Sequence, residues 1–281
     1  MLQVYRRNSL KHNHSHNGKV YRKLFLPIAP YWTDMPDIKI KYVMKGSIHY
    51  LLILLLLVSV NVSAQSKIEP HNLNKSFNYG KSVAVFGGSV SVIPASDTAK
   101  ALWKKYLGMT ITNYGVGGAG FSSLQGKSLQ QQVNEAGVFD IYILWASTND
   151  YTNHRAIGNY TDYTEFDGYD TTKLTTQAGG INYCIKRIYE INPQAAIYFF
   201  TSSKAFNDRG GYDPYYENGM NRYVEMQKQI CALHGIPVLD QFSKGGYNIY
   251  NKQLYYHDAI HMNAKGYKRL GELQVSFLAF P

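Results

Sequence analysis

The sequence predicts a three-layer α/β/α sandwich around a five-stranded parallel sheet, and three observations carry that expectation. Short apolar runs alternate with amphipathic helical patterns five times between Lys81 and Leu278. The first of them, Val83 to Phe86, is a run of apolar and β-branched residues, the mark of a strand buried on both faces. No hairpin signal joins two runs and no segment repeats, which leaves helical crossovers and a parallel sheet.

The elements follow in order. Val83-Ala84-Val85-Phe86 forms the first strand and runs into Gly87-Gly88-Ser89. Ser96-Asp97 is expected to cap a helix in which Ala99, Leu102, Trp103, Tyr106 and Leu107 recur at helical spacing, with Gly108 as its stop. Met109 to Tyr114 reads as the second strand. It leads into Gly115-Val116-Gly117-Gly118-Ala119-Gly120, where backbone amides are left free to face a ligand. A short helix around Leu129 to Ala136 precedes the most apolar strand, Phe139 to Ala146, which ends in Ser147-Thr148-Asn149-Asp150. The polar, tyrosine-rich segment from Tyr151 to about Asp170 is long enough to call for a functional or disordered role. Ile181, Cys184, Ile185, Ile188 and Tyr189 mark a helix that stops at Asn192-Pro193, and Ala195 to Thr201 is the fourth strand. A second polar loop, Lys204 to Glu217, leads to a helix through Met220, Tyr223, Val224, Ile230 and Cys231, closed by Gly235. Ile236 to Leu239 is a short fifth strand. After Asp258 and His261, Asn263 opens a last helix through Leu278.

Three regions are expected along the 281 residues. Residues 44–64 combine Lys45, the apolar run YLLILLLLVSV and Val62-Ser63-Ala64, the three parts of a secretory signal peptide cleaved near Ala64. The run is shorter than the roughly 18–20 residues that span a bilayer. The protein is therefore expected to be secreted or periplasmic, meeting the membrane only during export. Residues 1–43 read as a mis-assigned upstream start, with Met44 the true one, or as a basic tail before an anchor. Residues 65–281 form the folded domain, large enough for a substantial core.

Charge excludes one class of partner. Residues 1–45 hold nine Lys or Arg and two Asp, which is +7 of the net +10, so the domain itself is nearly balanced. The basic total is no sign of nucleic-acid binding. The two cysteines, Cys184 and Cys231, fall at apolar helical positions and read as buried small hydrophobes rather than a disulfide; neither has metal-ligand spacing.

Chemistry gathers at the strand ends, where open parallel sheets place their ligand crevice. Ser89 on a tight glycine turn is a candidate nucleophile, and Asp258 with His261 a candidate orienting acid and base. Gly118 and Asn149 are candidate donors to an oxyanion. Singly, each admits a structural reading: a polar turn residue, a surface pair before a helix, a turn glycine, a loop cap. Together they supply what acyl transfer needs. A dinucleotide fold lacks support because the first turn is not G-x-G-x-x-G. An α/β-hydrolase elbow, G-x-S-x-G, fails at Ser91.

On these residues the chain resembles the SGNH, or GDSL-type, hydrolases, a family of esterases, lipases and deacetylases. The usual Gly-Asp-Ser block stands as Gly87-Gly88-Ser89, and the asparagine with spaced glycines as Asn113 to Gly118. Gly-x-Asn-Asp stands as Ser147 to Asp150, and Asp-x-x-His as Asp258 to His261. Gly88 and Ser147 depart from the pattern. The resemblance implies a flavodoxin-like sheet, a catalytic triad of Ser89, His261 and Asp258, and an oxyanion hole from Ser89, Gly118 and Asn149, with no metal or cofactor.

Of 25 tyrosines, many crowd the loops after the third, fourth and fifth strands. Those loops are poor in the Leu, Ile and Val that would line a long acyl channel. Flat rings with hydroxyl handles suit sugars, so Tyr151, Tyr215, Tyr216 and Tyr256 are candidate substrate contacts. A carbohydrate ester with a short acyl group is the expected substrate. A lipase, lysophospholipase or thioesterase of the same fold, or a non-catalytic glycan-binding protein, is the alternative.

Overall fold

In the computed structural model, which describes residues 73–122, 128–165, 168–206 and 219–281, the sheet consists of β1 (Ser82–Gly87), β2 (Thr110–Asn113), β3 (Ile141–Trp145), β4 (Ala196–Phe200) and β5 (Val238–Leu239). Every pairing is parallel and the order is β2-β1-β3-β4-β5. The sheet grows from β1 to one side with β2 and then to the other with β3. The ends of β1 and β3 therefore flank the switch point where such sheets open a crevice.

The longer helices are α2 (Asp97–Leu107), α5 (Gln177–Ile191), α6 (Met220–His234) and α9 (Ala264–Ala279). Shorter ones are α1 (Ser89–Val92), α3 (Leu129–Asn134), α4 (Asn149–Thr152), α7 (Gln241–Lys244) and α8 (Lys252–Tyr255). Alternate residues of each strand enter opposite layers. Val83, Val85, Ile141, Ile143 and Trp145 pack with Trp103, Leu107, Leu270 and Leu278 of α2 and α9. Ala84, Phe86, Tyr142 and Leu144 pack with Leu129, Ile181, Ile185 and Ile230 of α3, α5 and α6. Both faces of β1, β3 and β4 are buried, which is why those strands read as apolar runs, whereas β2 at the sheet edge is largely exposed.

Hydrogen bonds between buried polar side chains tie these layers together, although among the described residues Asn78 Oδ1 and Gln274 Nε2 have no partner. Trp103 Nε1 donates to Gln274 Oε1 at 3.2 Å, joining α2 to α9. Asn78 Nδ2 donates to Tyr198 OH at 2.8 Å and to the Leu278 carbonyl at 2.7 Å, pinning the segment before β1 to the last helix. Cys184 and Cys231 are free, buried thiols, and burial pushes both well above the ordinary cysteine range.

One helix start differs from expectation. Ser96 does not cap α2: its hydroxyl donates back to the Ile93 carbonyl at 2.7 Å, because residues 94–96 already form a 3₁₀ turn. Asn263 caps α9 as expected, accepting from Gly266 N at 3.1 Å. Residues 1–72, including the expected signal peptide, lie outside the described residues.

Candidate active site

Ser89 opens α1 at the carboxyl end of β1, and the turn that presents it is pinned from several sides. Gln132 of α3, fully buried, accepts from Gly87 N at 2.9 Å and donates to Gly87 O at 3.1 Å. Ser91 O accepts from Lys100 Nζ at 2.6 Å and Asn113 Nδ2 at 2.8 Å, while Tyr267 OH donates to Val90 O at 2.8 Å. Four elements thus hold residues 87–91 through the backbone of Gly87, Val90 and Ser91, and the serine's position is set by packing rather than by its own side chain.

His261 reaches the serine from the loop between α8 and α9. Its Nε2 stands 2.8 Å from Ser89 Oγ and its Nδ1 2.8 Å from Asp258 Oδ2. With Nδ1–H directed at the carboxylate, Nε2 is the acceptor for the serine proton. Asp258 is also locked: its Oδ1 accepts from Ile260 N at 2.7 Å and His261 N at 2.6 Å. Partial burial opposes ionisation, but the hydrogen bonds from His261 and Ile260 prevail and hold the carboxyl below its ordinary value. The spacing Asp-x-x-His therefore closes a single small turn that carries both groups.

On the other side of Ser89 lies the glycine-rich loop. Gly118 takes a left-handed conformation (φ 79°), open to a non-glycine residue only with strain. Among the described residues no acceptor meets its N–H or that of Ser89. Both are free donors next to the candidate nucleophile's turn.

Asn149 opens α4 after β3. Its Nδ2 donates to Ala119 O at 2.8 Å and Ser147 Oγ at 2.9 Å, while Ser147 Oγ donates to Ala119 O at 2.8 Å. This triangle is nearly equilateral, so the two acceptors subtend about 60° at the nitrogen, half the roughly 120° between an amide's two N–H bonds. Both bonds are therefore bent, and Asn149 meets a further acceptor by releasing one of them. Gly88 makes room for this amide: a Cβ there would stand 2.6 Å from Asn149 Nδ2 and 2.6 Å from Ala119 O.

In the sequence Asp150 is only the last residue of its block, and the structure gives it a definite place. Fully buried, it accepts from Phe121 N at 2.8 Å, Ser122 N at 2.9 Å and Ser122 Oγ at 2.6 Å. Burial raises its carboxyl above the usual range while these donors and Gln177 pull it back. It ties the exit of the glycine loop to α4, and so fixes Gly118 relative to Asn149. Neither Asp150 nor Gln132 is marked in the sequence, since each stands among other polar residues.

The tyrosines divide. Tyr256 is a correction: it is 5% exposed, its hydroxyl donates to Lys204 O at 2.7 Å, and its ring packs edge-on against Phe206 and Tyr247. It belongs to the core because the chain bridges back at Met262 and buries the ring with Phe206, Tyr247 and Met262. Tyr151 is half-buried, edge-on to Tyr223 at 5.7 Å. Tyr215 and Tyr216 lie outside the described residues.

A doubly wound parallel sheet with a Ser–His–Asp chain at its switch point, beside free backbone donors, defines an SGNH-type hydrolase. The model of the GDSL-like lipase/acylhydrolase family matches residues 82–269, and the chain belongs to that family of ester hydrolases. No curated protein matches the chain. Among solved structures, a Lactobacillus plantarum protein is 18% identical with a TM-score of 0.60, covering 70% of this chain and 96% of that one. The lipase/acylhydrolase from Enterococcus faecalis is 18% identical with a TM-score of 0.50, covering 70% and 94%. The acetylxylan esterase Axe2 from Geobacillus stearothermophilus is 13% identical with a TM-score of 0.50, covering 73% and 97%. At these identities the likeness is one of fold.

Proposed function

We propose that the protein is an exported serine esterase that removes short acyl groups, such as acetyl, from a carbohydrate through an acyl-enzyme. The observation that carries the reading is the unbroken chain from Ser89 Oγ through His261 to Asp258, with both links at 2.8 Å. Ser89 Oγ attacks the ester carbonyl as His261 Nε2 takes its proton. The charge that develops on the carbonyl oxygen is met by the N–H groups of Ser89 and Gly118 and the side-chain amide of Asn149. As the intermediate collapses, the bond to the alcohol oxygen breaks and His261 returns the proton to it. Water then attacks the acyl-serine with His261 again as base, releasing the acid and restoring the Ser89 hydroxyl.

The carbohydrate half of the reading is supported by the polar, aromatic segments after β3 and β5, where Tyr160, Tyr169 and Tyr250 are exposed. Export is supported by the apolar run before Val62-Ser63-Ala64, and amino-terminal sequencing of exported protein tests it, with a mature start near Gln65 expected. The function is tested by turnover of nitrophenyl esters of increasing chain length. Acetate should be preferred, and Ser89→Ala and His261→Ala should each abolish hydrolysis without unfolding the domain. A preference for octanoate would point to a lipase or thioesterase, and absence of turnover in folded protein to a binding protein.

A further inference from the structure

A cleft of about 380 Å³ opens beside His261, between the turn that follows α1 and the loop that carries the imidazole. Ile93, Pro94, Ala95 and Met262 form its apolar walls, with His257, His261 and Asn263 as its polar members. None of Gly118, Ala119, Ser147 or Asn149 lines it. We propose that this cleft is the subsite for the alcohol half of the ester, a single sugar ring, while the acyl group lies elsewhere on the nucleophile.

The inference rests on the esterase reading and on the stereochemistry of the tetrahedral intermediate. Its carbon carries four groups: Ser89 Oγ, the oxyanion, the acyl substituent and the alcohol oxygen. The oxyanion points to the glycine loop and Asn149. The alcohol oxygen must lie against His261 Nε2, because that nitrogen delivers the proton on which its departure depends. The group attached to that oxygen is therefore carried to the His261 side, where this cleft is. Its volume lies at the small end of ligand pockets, roughly 300–1,000 Å³, and is enough for one ring.

The lining fits the same class. An apolar wall meets the C–H face of a sugar, and an imidazole can bond a ring hydroxyl. His257 is exposed, and among the described residues its ring has no hydrogen-bond partner, while its backbone N–H donates to His261 O at 2.8 Å. The side chain is thus held next to the base but is not used by it. Asn263 also borders the cleft, but its amide is committed to Gly266 N and Leu254 O.

The test varies the alcohol at constant acyl group, then the acyl group at constant alcohol. An acetylated methyl glycoside and methyl acetate share the acetyl-enzyme and differ only in the leaving alcohol. Ala95→Phe, which fills the cleft, should lower the ratio of kcat/KM on the glycoside to that on methyl acetate by about tenfold or more. His257→Ala, at an exposed position that tolerates truncation, should lower the same ratio by about fivefold, as for one hydrogen bond. Acyl preference across nitrophenyl acetate, butyrate and octanoate should stay as in the parent for both variants. An unchanged alcohol ratio in His257→Ala and in folded Ala95→Phe, or a shift in acyl preference instead, overturns the assignment. Parent protein that turns over methyl acetate but not the glycoside also overturns it, whereas parent protein that turns over neither removes the esterase reading beneath it.

Discussion

A Cβ added to Gly88 would stand 2.8 Å from Ser147 Cβ, so the turn before the candidate nucleophile and the end of β3 have room for only one side chain between them. Both positions depart from the family's usual residues, in opposite senses: the first block has lost its side chain and the third has gained one. Gly88→Asp should therefore crowd Ala119 O and Asn149 Nδ2, costing about 1–3 kcal/mol and lowering kcat. Adding Ser147→Gly should relieve only part of this, since the contacts with Ala119 O and Asn149 remain. Melting temperature and kcat of the two single variants and the double variant check it; a neutral Gly88→Asp would show that the space is not limiting.

Ser147 should also act on the reaction through Asn149. Removing its hydroxyl in Ser147→Ala frees the amide to turn, and about a tenfold loss in kcat at similar KM is expected. The same change made in an Asn149→Ala background should cost nothing more, because nothing remains to be oriented. Equal losses in the two backgrounds would assign the hydroxyl a purely structural role.

Asn149→Ala by itself should lower kcat by roughly 10²–10³ with little change in KM, as for the loss of one oxyanion donor. A destabilised but fully active variant, read from melting temperature and kcat on one preparation, would remove Asn149 from the site.

Asp150→Ala should be the most damaging of the positioning changes. Two backbone N–H groups and the Ser122 hydroxyl lose a buried acceptor, at about 1–3 kcal/mol for each unsatisfied group. The expected outcome is a loss of about 3 kcal/mol or more in chemical denaturation. Retention of full stability would mean that residues 119–122 find other partners.

Asp258 gives a pH dependence with a definite sign. Its folded-state carboxyl sits below the ordinary value, so its contribution to stability is complete above the unfolded value of about 3.9 and is lost as pH falls through the lower folded value. The melting-temperature difference between the parent and Asp258→Ala should be full at pH 6 and shrink below about pH 4. A difference that grows on acidification would contradict this.

Much of this architecture was legible in the residues, and where it was not, the reason is physical. Strands buried on both faces announce themselves as apolar runs, and α2, α5, α6 and α9 are long enough to show a helical period. The four- to six-residue helices α1, α3, α4, α7 and α8 complete little more than one turn, too short for a period; only α3 was anticipated, from its apolar residues. Ser89, Asp258 and His261 were readable because small turns fix their spacing. The tyrosines were not, because an aromatic residue in a polar loop has the same composition whether, like Tyr250, it faces water or, like Tyr256, it fills the core. Asp150 and Gln132 were hidden by the opposite effect, since polar residues that anchor a backbone turn from inside look like surface residues until burial is known.

The central claim is that Ser89 is the nucleophile activated by His261, and reaction with a fluorophosphonate, mapped by peptide mass, tests it most directly. The folded parent should carry one adduct, on the peptide containing Ser89; Ser89→Ala should carry none, and His261→Ala should react slower by roughly 10²–10⁴ for want of its general base. An unlabelled parent, or an adduct that persists in Ser89→Ala, would contradict the account.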